Sequence, residues 1–249
     1  MIPPHIFDRL FWHMIDTKTK INNSLIEAMF GVGAHYGYSK SRRHPSVKPF
    51  IYGAKNKVEI FNLEKTSKSL EEAVQFVQSL GEQNKQILFV SGKEEIRNVI
   101  KEAADSIEAP YVAGRWIGGS LTNFSEIRKR VQKLLGLEEK KEKGELTKYT
   151  KKERLLIDRD IIDLESKFGG LVGMKELPSA LFVVDSKQEI LAVTEAGVMN
   201  IPVVSLSSSD CNLDTIEHPI PGNDSSISSI KFFVSKMVEA YKEGKKKSE

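Results

Sequence analysis

Between Ala28 and Val58 the chain carries Lys40, Arg42, Arg43, Lys48, Lys55 and Lys57 and no acidic residue. Ammonium and guanidinium groups neutralise phosphates, so a run of this kind suits binding to a polyanion. The formal net charge is only +3, which makes the rest of the chain net acidic and concentrates the basic excess in this segment. Gly31, Gly33, Gly37 and Gly53 add turns whose amides can also meet phosphate. Tyr36, Tyr38, Phe50 and Tyr52 lie among them. Such rings either stack on exposed bases or pack beneath the loop, and charge alone does not choose between these roles.

A second cluster, Arg115-Trp116-Ile117-Gly118-Gly119-Ser120-Leu121-Thr122-Asn123, combines a guanidinium, an indole and a Gly-Gly turn. It reads equally as an RNA contact and as an Arg-Trp stack anchoring whatever follows it. Enzymatic constellations are missing: the sequence has no P-loop, HExxH, CxxC, GxSxG or DxDxDG pattern. Ser91-Gly92-Lys93, between a strand and a helix, resembles an anion-binding turn, although Ser and Gly suit any such turn. Cys211 with His218 or His35 would make a nucleophile and base, but packing is the simpler role for each. Asp185 and Asp224 fall where α/β folds place active-site acids, and capping accounts for them as well. No catalytic residue, cofactor, metal or small-molecule substrate is expected.

These residues need elements to position them. The chain has 249 residues, 28.0 kDa and a mean hydropathy of −0.31, enough for one α/β domain with an insertion. No window approaches the ~18 apolar residues of a membrane span. One cysteine points to a reducing cytoplasm. Met1-Ile2-Pro3-Pro4-His5 has neither a secretory nor a transit pattern, which favours a bacterial over an organellar source. Residues 1–30 read as an N-terminal extension with a short helix, and 31–57 as an ordered basic loop. From Val58 onward, short apolar runs alternate with helical stretches: 58–63, 87–90, 111–112, 180–185 and 201–206, with helices near 67–80, 93–106, 188–199 and 225–242. That alternation predicts a parallel sheet covered on both faces, built from 31–124 and 171–243.

Between the halves, Ile127, Val131 and Leu134, then Ile157, Ile161, Leu164 and Phe168, repeat at spacings of four and three. This predicts a helical hairpin over 125–170, with Thr150-Lys151-Lys152-Glu153 capping its return helix. Lys129 belongs to its basic surface: residues 127–154 hold eleven Lys/Arg against five Glu. An RNA-touching face and a solvated charged face fit that balance alike. Residues 244–249 read as a basic tail.

The residues also resemble a known family, that of the second protein of the small ribosomal subunit in its bacterial and organellar form. The resemblance is collinear from about Gly33 to Asp224. It rests on Gly33-Ala34-His35-Tyr36-Gly37, Lys48-Pro49-Phe50-Ile51-Tyr52-Gly53-Ala54-Lys55-Asn56, Asn62-Leu63-Glu64-Lys65-Thr66, the 115–123 cluster, the stretch from Leu177 to Asp185, Glu195-Ala196, Ile201-Pro202-Val203 and the stretch from Pro219 to Asp224. It implies a flavodoxin-like three-layer α/β domain with an inserted coiled-coil helical hairpin, without catalytic activity, in the small ribosomal subunit. Its implied partners are ribosomal RNA, neighbouring ribosomal proteins and, in many bacteria, the messenger-binding ribosomal protein S one. Under it Arg42, Arg43, Lys48, Lys55, Lys57, Arg115, Trp116, Thr122, Asn123 and Lys129 become the expected RNA contacts. The sequence departs from the family pattern at Tyr38, where a second His is usual, at Arg43, where a Trp is usual, at Ser208-Ser209-Asp210, and before Leu25.

Overall fold

The computed structural model describes residues 23–248; most of the expected N-terminal extension lies outside them. Helix α1, Asn23–Gly31, is followed by three short strands, β1 (Tyr36–Ser39), β2 (Ile51–Lys55) and β3 (Val58–Phe61). These pair antiparallel in the order β1-β3-β2. Two expectations change here. The basic loop 31–57 is built around two strands and two 3-10 turns, and Val58–Phe61 does not enter the parallel sheet. The cause is the two-residue link Asn56-Lys57, where both residues have positive φ, 50° and 68°. That geometry folds β3 straight back on β2 as a tight hairpin. Lys57 stands where Gly would have signalled the turn.

Five further strands form one parallel sheet: β4 (Ile87–Ser91), β5 (Tyr111–Ala113), β6 (Ala180–Val184), β7 (Val203–Ser207) and β8 (His218–Pro221). Their order is β5-β4-β6-β7-β8, the 2-1-3-4-5 pattern of flavodoxin-like sheets. Every residue of β4, β6 and β7 is buried, as expected of strands covered on both faces. β8 carries Pro219 and Pro221, which cannot donate to a ladder, and it accordingly lies at the sheet's edge. The prolines also conceal it from a reading by strand propensity.

Alternate strand residues feed two cores. Ile87, Phe89, Phe182 and Val204 pack with α1, α2 (Leu63–Glu82), α3 (Arg97–Asp105) and α7 (Ile227–Ser248). Leu88, Val90, Leu181, Val183 and Val203 pack with α4 (Phe124–Glu142), α5 (Lys151–Phe168) and α6 (Ile190–Val198). Asn62 starts α2 by accepting from the backbone N–H groups of Glu64 and Lys65. Thr150 and Glu153 form the reciprocal capping box that starts α5. The two helices α4 and α5 bury Ile127, Val131, Leu134, Ile161, Leu164 and Phe168, and the ion pairs Lys133–Asp160 and Lys141–Asp158 cross between them.

The expected basic tail is also corrected, since α7 continues to Ser248. Gly81 and Gly244 let α2 and α7 touch backbone to backbone: a Cβ on Gly244 would stand 2.1 Å from the Gln78 carbonyl, and one on Gly81 would stand 2.4 Å from that of Tyr241. This crossing, with Lys247 paired to Glu82, gives the last turn something to lie on. No helix among the described residues is long and apolar enough to cross a membrane.

Candidate nucleic-acid interface

The small antiparallel sheet sits over the C-terminal ends of β7 and β8. His44 N–H donates to the Ser209 carbonyl at 2.8 Å, Tyr38 N–H to Ser209 Oγ at 2.8 Å, Asn223 N–H to the Ala34 carbonyl at 2.9 Å, and Thr66 Oγ1 to the Pro221 carbonyl at 2.8 Å. The 114–123 loop leaves the same end of the parallel sheet from β5, the opposite outer strand. Four strand spacings separate the two, about 19 Å. The basic segment and the 115–123 cluster, far apart in sequence, therefore both lie at the C-terminal end of the parallel sheet, on opposite sides of it.

At that end Arg42, Lys48, Lys55 and Lys57 are exposed. Arg42 lies over the Tyr38 ring, 5.6 Å from its centroid. Among the described residues, none of Arg42, Lys48, Lys57 and Arg115 has a carboxylate partner. Arg43 differs: its Nη1 lies 2.9 Å from Oε1 of Glu59, a residue only 1% exposed. That guanidinium balances a buried carboxylate and ties the basic segment to β3. The rings divide as well. Tyr36 and Tyr52 are 50% and 53% exposed, whereas Phe50 is partly buried against the core beneath.

In the second cluster Arg115 and Asn123 are exposed and Trp116 is 5% exposed. The indole is packed into the core and its N–H donates to Glu195 Oε1 at 3.1 Å. Trp116 therefore has the geometry of an anchor, one of the two roles its sequence context allowed, with Glu195 rather than Arg115 as its polar partner. Thr122 is exposed, but its N–H and hydroxyl both donate to Glu195 Oε2. Lys129 is exposed on α4 and paired with Glu126 one turn away at 2.6 Å.

At the strand ends, where doubly wound folds bind ligands, a cavity of about 520 Å³ is lined by Tyr38, Gly92, Lys93 and Ser225, and its cation is balanced from within the chain. Lys93 Nζ stands 3.0 Å from Asp185 Oδ2 and 3.5 Å from Asp224 Oδ1, and also donates to the Asp224 carbonyl at 2.5 Å. Burial lowers the Lys93 pKa, but the two aspartates outweigh it and hold the ammonium above its usual range. Asp224 is fully buried, and that burial pushes its carboxyl up to about 6. At Ser91-Gly92-Lys93, the turn that resembles an anion-binding one, the Gly92 N–H donates to Glu189, a buried carboxyl pushed by desolvation up to about 7.

Donor atoms of Asp185, Cys211 and Asp224 lie within 4.8 Å of one another, a spacing that would suit a metal ion. The Lys93 ammonium already supplies the positive charge there. Cys211 is buried and its thiol is pushed up to about 12, by burial and then by Asp185 and Asp224, so it is no nucleophile. Burial lowers His35 to about 4, and its ring stacks on Phe30 at 4.5 Å. Cys211 Sγ lies 3.8 Å from Asp185 Oδ1 and 3.9 Å from Asp210 Oδ1.

Glu189, Glu195 and Glu59 organise this end, and their roles could not be read from sequence. Only the resemblance picked out Glu195. A glutamate that accepts from amides 70 to 80 residues away leaves no local pattern.

The family description "Ribosomal protein S2" matches residues 29–244. The chain is 41% identical over 213 residues to the small ribosomal subunit protein uS2 of Helicobacter acinonychis (strain Sheeba), covering 86% of this chain and 87% of that one. It is 40% identical over 213 residues to the protein of the same name from a Nitratiruptor species, covering 86% and 80%. With that of Roseiflexus castenholzii it shares 40% identity over 224 residues, covering 90% and 85%. With the family description matching residues 29–244 and relatives of one name sharing 40–41% identity over most of both chains, the chain belongs to the ribosomal protein S2 family.

Proposed function

We propose that this chain is a structural, non-catalytic constituent of the small ribosomal subunit, binding small-subunit ribosomal RNA and neighbouring ribosomal proteins. The observation that carries this reading is the distribution of countercharge. In the crevice Lys93 meets internal carboxylates, whereas among the described residues the exposed Arg42, Lys48, Lys57 and Arg115, at the same end of the parallel sheet, do not. Phosphates are the partners such cations lack. Lys55, Thr122 and Asn123 complete the contact surface, with Tyr36 and Tyr52 able to stack on unpaired bases. Arg43, Trp116 and Lys129 support that surface through Glu59, the core and Glu126.

We read α4 and α5 as a coiled-coil hairpin inserted between the two halves of the α/β domain. Its exposed Leu155, Leu156 and Ile162, 51%, 54% and 65% exposed, support contact with protein neighbours, with ribosomal protein S one a further partner in bacteria. The test is rebinding of the purified protein to small subunits from which it has been stripped, as a function of salt. Wild type should rebind and be released as salt rises, because bound counterions return to the RNA. Arg42→Glu with Lys48→Glu should abolish rebinding while the fold is kept. Rebinding indifferent to salt and to both reversals would refute the RNA contact.

A further inference from the structure

The turn that carries Arg115, Thr122 and Asn123 closes around a single carboxylate. Glu195 Oε1 accepts from Trp116 Nε1 at 3.1 Å and from Gly119 N–H at 2.8 Å. Its Oε2 accepts from Leu121 N–H at 3.0 Å, Thr122 N–H at 3.2 Å and Thr122 Oγ1 at 3.3 Å. Backbone N–H groups converging on one point form an anion nest. Gly119, at φ 88°, adopts the left-handed conformation that lets the chain turn its amides inward. The loop's own bonds are few: Ser120 N–H and Oγ donate to the Ile117 carbonyl, and Asn123 N–H to that of Gly119.

Five donors to an ionised acceptor are charge-assisted and stronger than neutral bonds. Burial would raise the carboxyl, but the amide and indole donors outweigh it and hold Glu195 below the usual carboxylate range, so the anion persists. The carboxylate is itself fixed, because α6 buries Ala192, Val193 and Ala196 against the sheet.

Resting on the reading that this loop meets RNA, we propose that Glu195 is its positioning residue. Its carboxylate occupies from inside the nest that a phosphate would otherwise take, so the loop amides are spent internally and RNA is met by the outward side chains of Arg115 and Asn123. The consequence is a coupling. Glu195 touches no RNA, yet the contribution of Arg115 depends on it.

The experiment is rebinding to stripped small subunits by wild type, Glu195→Gln, Arg115→Ala and the double variant, with amide hydrogen exchange over 114–123. Glu195→Gln should weaken rebinding about tenfold in the wild-type background and much less in the Arg115→Ala background, a non-additivity expected of residues acting through one another. It should also speed exchange at Gly119, Leu121 and Thr122, and formate should restore slow exchange to Glu195→Ala by refilling the nest. A folded Glu195→Gln protein that rebinds like wild type, or losses that simply add, would overturn the assignment. If Glu195→Gln does not fold, Glu195→Asp, which keeps the charge but draws it back from the loop donors, is read in the same way. Wild type failing to rebind at all would instead remove the ribosomal reading, and this assignment with it.

Discussion

Lys93 and Lys57 carry the same ammonium group in opposite surroundings. Lys93 is 15% exposed and lies between Asp185 and Asp224, whereas Lys57 stands on an exposed hairpin turn beside Lys55 with no acidic residue from Ala28 to Val58. The crevice around Lys93 has the position of an active site, but two aspartates of the chain already balance its ammonium. In and beside the antiparallel sheet, Arg42, Lys48 and Lys57 have no carboxylate partner among the described residues, and those charges are left for a partner to balance. Position in the fold therefore says less about function than whether the chain supplies its own countercharge.

The sharpest way to break this comparison is at Lys93. Lys93→Ala should cost about 3–5 kcal/mol, because it leaves fully buried Asp224 without its cation. Denaturant unfolding measures this, and a loss within ~0.5 kcal/mol, the size of an ordinary surface change, would show that the aspartate does not depend on that cation. Arg43 tests the boundary between the two regions. Arg43→Ala should cost about 1–3 kcal/mol by stranding the buried Glu59 carboxylate, and Glu59→Gln in the same chain should return part of it.

A smaller effect is expected in the pH dependence of the crevice. Burial raises Glu189 from 4.5 to about 7, so the folded state holds this proton where the unfolded chain has released it. Stability is therefore lost as pH rises from about 4.5 towards 7, and Glu189→Gln should flatten that slope in unfolding curves taken across the window. His35 works in the opposite direction. Lowered by burial from 6.5 to about 4, it makes the fold lose stability as pH falls through that interval.

The smallest effect on stability, and the most specific one on binding, belongs to the basic sheet. Arg42→Ala and Lys57→Ala should each leave stability within about 0.5 kcal/mol. Each should also reduce the slope of log affinity against log salt by about 1. A change in stability without a change in slope would place these residues with Arg43.

Sequence periodicity was enough to read the sheet and helices of the main domain, because buried parallel strands such as Ala180–Val184 are continuous apolar runs and α4 and α5 repeat at helical spacing. It failed at β8, where two prolines mask an edge strand, and at β3, where Lys57 conceals a hairpin turn. The cations of the interface were visible as a run. What could not be read was which of them the chain neutralises itself, since Glu59 lies sixteen residues beyond Arg43 and Asp224 more than a hundred beyond Lys93. Trp116 illustrates the same limit: the residue type fits a base stack, and only packing shows it to be an anchor.

The most direct test of the central claim is sedimentation of a cell lysate on a sucrose gradient, with immunodetection of the protein at moderate and at high salt. Recovery with the small subunit at moderate salt and partial release at high salt are expected, as exposed cations on RNA require. Protein that stays at the top of the gradient under both conditions would contradict that claim.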